Sequence, residues 1–331
     1  MALDAAELDE ALAVARRVVG EAAALLRDAH AAGERIEPVH FKSTIFDPVT
    51  AWDTRIEDLM RERLGQLSPA VPVLGEERGA GPARDAAAGP DAAAGLDSAA
   101  DAAAAPDAAP DAAAAGPATD AAAGPDAVAG LDSAAAPDAR APLRWLIDPI
   151  DGTVNFSHGL PIFGIAASLE EAGQPVVAVV AAPALGWELW GRRGGGAFCD
   201  GGRRLAVSTV ARLDRAILAT GFPYDRATSR KNFAEWDHLQ CVASAVRRFG
   251  AASLDLAMVA RGWLDGYWES DIEAWDLSAG ALLVEEAGGR VTDVTGGRFV
   301  SDTGRALATN GAIHVAMLDE LGKVRARRGG G

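Results

Sequence analysis

A chain of 331 residues, 49% hydrophobic and 24% charged, has the length for one large α/β unit or two domains and the composition of a globular protein. Its net charge of −16 argues against nucleic-acid binding over the whole surface, although residues 79–141 alone hold ten Asp against two Arg. Two cysteines, Cys199 and Cys241, with no C-x-x-C, argue against a disulfide framework or a zinc site and read as reduced, partly buried thiols.

The N-terminus carries acids where a secretory leader carries bases, and its apolar residues recur at helical spacing. This predicts an amphipathic helix over Asp4–Asp28. No apolar run reaches the roughly 18–20 residues of a membrane span, so a cytoplasmic protein is expected. Hairpin-like strands around Val39–Val49, a helix over Trp52–Leu67 and a strand at Val71–Leu74 follow.

From Gly79 the chain turns almost wholly to Ala, Asp, Gly and Pro, and GPDAAAGLDSAA at 89–100 recurs as GPDAVAGLDSAA at 124–135. Gly and Pro recur too often for a long helix, and few large side chains exist to offset the entropy of ordering. A disordered insert over 79–141 is expected. It divides an N-terminal α/β half, residues 1–78 and 142–212, from which a C-terminal half, residues 213–331, continues.

Beyond the insert, strands are predicted at Trp145–Ile147, Phe163–Leu169, Val176–Ala181, Trp187–Arg192 and Gly196–Cys199, with a turn at Asp200-Gly201-Gly202. The glycines at 194–196 lack the G-x-G-x-x-G spacing and read as a turn instead of a nucleotide loop. The C-terminal half opens with a strand at Ala216–Thr220 and a turn at Gly221-Phe222-Pro223. Helices are predicted at Phe233–Val246, Ala252–Arg261 and Leu277–Ala287, and from Ile313 onward. Between them fall a short strand or turn at Arg247–Gly250 and strands at Leu264–Glu269, Val291–Asp293 and Ala306–Thr309. Alternation of this kind indicates layered α/β architecture.

The chemistry concentrates in Asp148-Pro149-Ile150-Asp151-Gly152-Thr153, which follows the apolar run Trp145-Leu146-Ile147. Two carboxylates emerge three positions apart where a strand ends. Pro149 removes a donor and fixes φ, and Gly152 permits a tight turn. Both acids can then aim at one point beside the free carbonyl of Ile150, an oxygen set that suits a hard divalent cation such as Mg²⁺. An isolated D-P-x-D is more often a polar turn.

Two further segments lie co-linear with this one. KSTIFDPVTAWD at 42–53 is continued by Gly75-Glu76-Glu77, and ESDIEAWDLSAG at 269–280 is followed by Glu-Ala-Gly-Gly at 286–289. With WLIDPIDGTVNF at 145–156, they make a chain that resembles the inositol monophosphatase family of Mg²⁺-dependent, lithium-sensitive phosphatases. The resemblance implies a five-layer αβαβα sandwich with the active site between the halves. It implies that Glu76, Asp148 and the Ile150 carbonyl bind one Mg²⁺, that Asp148, Asp151 and Asp276 bind a second, and that a third, weaker ion sits near Glu76. Asp53 and Thr153 would activate water. Gly152 and Thr153 would offer backbone N–H groups to phosphate, Gly250, Ala251 and Ala252 would line the pocket, and Glu269 would bind a substrate hydroxyl.

Each residue also has a plainer reading. Asp53 and Asp276 can cap helices, Glu269 can be an exposed acid at a strand end, and Lys42 can be a solvated surface charge. Arg247 and Arg248 can bind phosphate or pack at a subunit interface. The insert beside a metal ligand and the bulk of Trp52 depart from the family pattern. The implied activity is hydrolysis of a small polyol monophosphate, inositol-1-phosphate first, by metal-activated water in a homodimer. Histidinol phosphate, fructose-1,6-bisphosphate and 3′-phosphoadenosine phosphate are alternative substrates, and a non-catalytic scaffold for a transcription-associated partner is the alternative of another class.

Overall fold

The computed structural model describes residues 2–33, 36–42, 44, 46–81, 142–224 and 229–329. Most of the expected insert therefore lies outside the described residues. Its first three residues do not belong to it, because Gly79–Gly81 pairs as a strand.

The chain opens with α1 (Ala5–Ala31), whose N-terminus is closed by Asp4 and Glu7 in a reciprocal capping box. A small ladder of β1 (His40–Phe41) and β2 (Pro48–Val49) precedes α2 (Ala51–Leu67), β3 (Val73–Gly75) and β4 (Gly79–Gly81). Next come β5 (Leu143–Asp151), the single turn α3 (Thr153–Ser157), β6 (Gly164–Glu171), β7 (Gln174–Ala182), β8 (Trp187–Arg192), β9 (Gly196–Cys199) and β10 (Arg203–Arg204). The remainder is β11 (Ile217–Thr220), α4 (Phe233–Gln240), β12 (Ala245–Arg247), α5 (Ala252–Ala260), β13 (Gly266–Ser270), α6 (Ala274–Glu286), β14 (Arg290–Thr292), β15 (Arg305–Thr309) and α7 (His314–Gly329).

An eight-stranded sheet runs in the order β10-β9-β8-β7-β6-β5-β3-β4, and a five-stranded sheet in the order β12-β11-β13-β15-β14. Helices α1 and α2 cover the outer face of the first, α5 and α6 fill the space between the two, and α4 and α7 cover the second. This is the five-layer αβαβα arrangement. Strand β7 shows why the sequence reads as it does. Val177, Val179 and Ala181 enter the core shared with α1 and α2, whereas Ala178, Val180 and Ala182 enter the core shared with α5 and α6. A strand covered on both faces has no polar side, so its apolar run is continuous.

Some boundaries differ from expectation. Helix α4 stops at Gln240, six residues early, because the N–H groups of Ser244 and Ala245 are taken by the Ala216 carbonyl at 3.0 and 3.3 Å, which draws the chain into the sheet as β12. Helix α6 begins at Ala274, with Glu273 as its cap. Cys199 is buried, but Cys241 is exposed, and both thiols are free. Among the described residues no helix is long and apolar enough to cross a membrane.

Candidate metal and phosphate site

The site forms where β3, β5 and β13 end and α5 and α6 begin. In a regular strand, residues three apart face opposite sides. Between Asp148, paired with Ala166, and Asp151, paired with Gly164, the ladder slips by one residue. This bulge turns both acids to the same side. Gly152 then adopts φ 89°, and a Cβ there would meet Gly250 O at 3.1 Å and Ala251 Cβ at 3.2 Å. Only glycine fits the close approach of the two segments.

Among the described residues, carboxylate oxygens of Asp148, Asp151 and Asp276 lie within 4.8 Å of one another. Their surroundings differ sharply. Asp151 accepts from Ala252 N at 3.0 Å, from Ser253 N at 2.7 Å, from Ser253 Oγ at 2.5 Å and from Leu254 N at 3.4 Å, so it caps α5 from across the chain. Asp276 accepts from Glu273 N at 3.1 Å and closes the capping box of α6. It is not the N-cap that the plainer reading made it, because Glu273 holds that place; it lies one turn inside α6 and still reaches the cluster. Among the described residues no N–H or hydroxyl donates to either oxygen of Asp148 although it is buried, and the carboxyl beside it is that of Asp276.

Burial, and then the charges of Glu76, Asp151 and Asp276, push the Asp148 carboxyl well above its ordinary range. Burial, then Asp151 and Glu76, do the same to Asp276. Burial also raises Asp151, against the pull of the Ser253, Leu254 and Ala252 donors. Orphaned buried oxygens that repel one another are costly without a counter-charge. The donor set, all carboxylate and carbonyl oxygen, fits a hard divalent cation.

Glu76 stands just outside this trio. It is paired with Lys42 at 2.6 Å, and Lys42 also pairs with Glu77 at 2.7 Å. Burial raises the Glu76 carboxyl to about 7, against the attraction of Lys42. Burial opposes the charge on Lys42, yet the two glutamates hold its pKa above the ordinary lysine value. The lysine thus lines the site and pairs with both glutamates while staying open to solvent. Glu76 lines the cavity and Glu77 does not.

Asp53 lies behind the cavity, fully buried. Its Oδ2 accepts from Thr50 N at 2.7 Å, so it sits one turn into α2 with Thr50 as the cap, while Oδ1 accepts from Thr153 Oγ1 at 2.8 Å. The same hydroxyl lies 2.9 Å from the Ile150 carbonyl. Trp52 packs beside this core, with the Arg55 guanidinium 4.8 Å above its ring, and leaves the Asp53 contacts in place.

The cavity encloses about 520 Å³ and is lined by Glu76, Asp148, Ile150, Asp151, Gly152, Thr153, Gly250, Ala251, Ala252, Glu269 and Asp276. The structure therefore gathers every sequence-predicted residue except Asp53, which reaches it through Thr153. Glu269 is buried at the strand end; it accepts from Tyr267 Oη at 2.5 Å, and burial raises it to about 7 against that bond and the Arg248 charge. Arg248 lines the cavity, whereas Arg247 turns back to the Val246 carbonyl at 3.2 Å. Sequence reasoning missed Tyr224, Trp275 and Asp255 on the wall. Only the W-D dipeptide at 275–276 offered a signal.

The inositol monophosphatase family profile matches residues 7–326. The chain belongs to this family. An inositol-1-monophosphatase of Mesorhizobium japonicum is 42% identical over 181 residues, 54% of this chain and 68% of that protein. A protein named Nus factor SuhB from Pseudomonas aeruginosa is 42% identical over 180 residues, 54% of this chain and 66% of that protein. The solved inositol monophosphatase of Anabaena (Nostoc) matches with TM-score 0.69 and 30% identity, covering 96% of each chain. The protein is accordingly a phosphatase, a phosphoric monoester hydrolase of a metal-dependent family.

Proposed function

We propose that the chain hydrolyses a small polyol phosphate monoester, inositol-1-phosphate first, with Mg²⁺ as its cation. The observation that carries this reading is that Asp148, within the Asp148, Asp151 and Asp276 cluster, receives no donor among the described residues, on the wall of a cavity that Thr153 also lines. Asp148, Asp151, Asp276, the Ile150 carbonyl and Glu76 would hold the cation. Bound there, it supplies positive charge for the phosphate oxygens and the leaving alkoxide.

The protein's own groups supply the rest. Thr153 donates its hydroxyl hydrogen to Asp53 and keeps a lone pair to accept one from water in the cavity. Burial raises the Asp53 carboxylate above its ordinary range, which makes it the better base for that relay. Backbone N–H groups of Gly152 and Thr153, on the cavity wall, would bind the phosphate, and Glu269, fixed by Tyr267, would bind a substrate hydroxyl. Arg248 adds a positive charge on the same wall.

The Pseudomonas relative named a Nus factor favours a second reading, a transcription-associated role. Asp53, Glu76, Asp148, Asp151 and Asp276 together are needed by the first and not by the second. The test is phosphate release from inositol-1-phosphate, histidinol phosphate, fructose-1,6-bisphosphate and 3′-phosphoadenosine phosphate, with MgCl₂, with EDTA and with added Li⁺. Mg²⁺-dependent, Li⁺-inhibited release that is fastest with inositol-1-phosphate is expected. No release from any of the four by folded protein would overturn the reading.

A further inference from the structure

Helix α2 presents two fully buried acids one turn apart, Asp53 and Glu57. They lie on one face, about 6 Å apart along the axis. Asp53 holds Thr153. Glu57 holds a different part of the site. Its Oε2 accepts from Glu77 N at 2.6 Å and its Oε1 from Arg78 N at 3.2 Å, so it grips the backbone just after Glu76. Arg61, the next acid-paired residue along the helix, donates Nε to Glu57 Oε1 at 2.7 Å. Its other nitrogens reach the carbonyl of Val73 on β3 at 3.1 Å and that of Gly79 on β4.

The pair thus binds both strands and the turn between them. Gly75 makes room for the grip. A Cβ at that position would lie 2.6 Å from Glu57 Oε1 and 2.8 Å from its Cδ. Nothing in the cavity touches Glu57, which is absent from its lining.

We propose that Glu57 is the positioning residue for Glu76, so that one helical face sets the spacing between the water-activating pair and the cation site. This rests on the reading of Glu76 as a ligand. Glu57 acts through the backbone of the turn and not on substrate. Removing its grip lets Glu76 drift from Asp148 and weakens cation binding, while the phosphate chemistry of a loaded site is unchanged. Residues that orient metal ligands in this way change affinity by about 10–100-fold when lost.

Glu170 provides the control. It is equally buried, and it accepts from Arg144, Ser278 and Ser301 far along β6 from the site. The experiment titrates Mg²⁺ calorimetrically into the full-length protein without substrate, and separately measures kcat at saturating Mg²⁺. Glu57→Gln is expected to weaken Mg²⁺ about 10–100-fold with kcat retained, and Gly75→Ala, which intrudes on the same oxygen, to do likewise. Glu170→Gln is expected to lower Tm and leave Mg²⁺ affinity alone. If Glu57→Gln behaves as Glu170→Gln does, the grip is only structural and the proposal falls. If Glu57→Gln does not fold, Gly75→Ala decides by the same criterion. Glu76→Gln separates the two readings: unchanged Mg²⁺ affinity there overturns the ligand assignment itself, whereas weakened binding there with normal binding in Glu57→Gln overturns only the positioning role.

Discussion

The two ends of the β5–β6 ladder bury acid in opposite ways. At one end Glu170 lies opposite Arg144 and receives its Nε at 2.9 Å, with Ser278 Oγ at 2.8 Å and Ser301 Oγ at 2.6 Å. Four residues along β5, roughly 13 Å away, Asp148 is as deeply buried and receives no donor among the described residues. Glu170 joins the first sheet to α6 and to the 301–303 turn, and its carboxylate is satisfied within the protein. Asp148 is surrounded by other acids, and no donor among the described residues satisfies its carboxylate. Equal burial thus marks two different roles, and the hydrogen-bond partners tell them apart.

The largest test of this contrast is Asp148→Asn. It is expected to lower kcat by at least about a thousandfold while leaving the cation-free protein no less stable, since it removes repulsion from Glu76, Asp151 and Asp276. Steady-state kinetics beside thermal melts in EDTA would show both; a destabilised variant would mean that Asp148 is held as Glu170 is. Glu170→Ala should do the reverse. Loss of its network is expected to cost about 3 kcal/mol in urea unfolding with kcat unchanged where the protein is folded.

Chelation comes next in size. Mg²⁺ at a hundred times its Kd should stabilise the protein by about 2.7 kcal/mol, and Asp148→Asn should remove most of that gain in the same melts. A graded effect, at most about 1.4 kcal/mol per pH unit, separates the site from the scaffold. His314, buried between the hydroxyls of Thr292 and Thr309 at 3.0 and 2.9 Å, is pushed down to about 4 by burial and by Arg290. The unfolded chain binds this proton more readily, so its stabilising contribution is complete above about pH 6.5 and is lost as pH falls toward 4. Relative to His314→Gln, the wild type should lose no more than about 1.4 kcal/mol per pH unit across that window, with Mg²⁺ absent throughout. A flat difference would show that His314 titrates as an exposed histidine does.

Much of the site was legible because its chemistry lies in short runs. The apolar Trp145-Leu146-Ile147 before D-P-x-D marks a buried strand ending in acids, and that is where the structure puts it. What was not legible depends on distant pairing. The bulge that turns Asp148 and Asp151 to one side is a property of the register with β6. The grip on Asp151 comes from residues about a hundred positions later, at the start of α5. Glu57 reads in sequence as an ordinary helical acid, since nothing in D-T-R-I-E announces that the helix buries both ends of the run. Helix α4 looks longer in sequence because its propensity continues past Gln240, and only the Ala216 carbonyl of the neighbouring strand cuts it short.

The short strand β4 has a consequence for how this protein tolerates change. Gly75 lies opposite both Gly79 and Ile147, while Val73 lies opposite both Gly81 and Trp145. The chain therefore leaves the described sheet at Gly81 and rejoins it at Leu143 on the end remote from the carboxylates, across about 10 Å of ladder. An alteration of length between those points enters and exits on strands that also carry or adjoin site residues, but at ladder positions about 10 Å from the carboxylates. A change of length between Gly81 and Leu143 is therefore expected to leave kcat unchanged, since the ladder positions that flank it lie at the far end from the carboxylates.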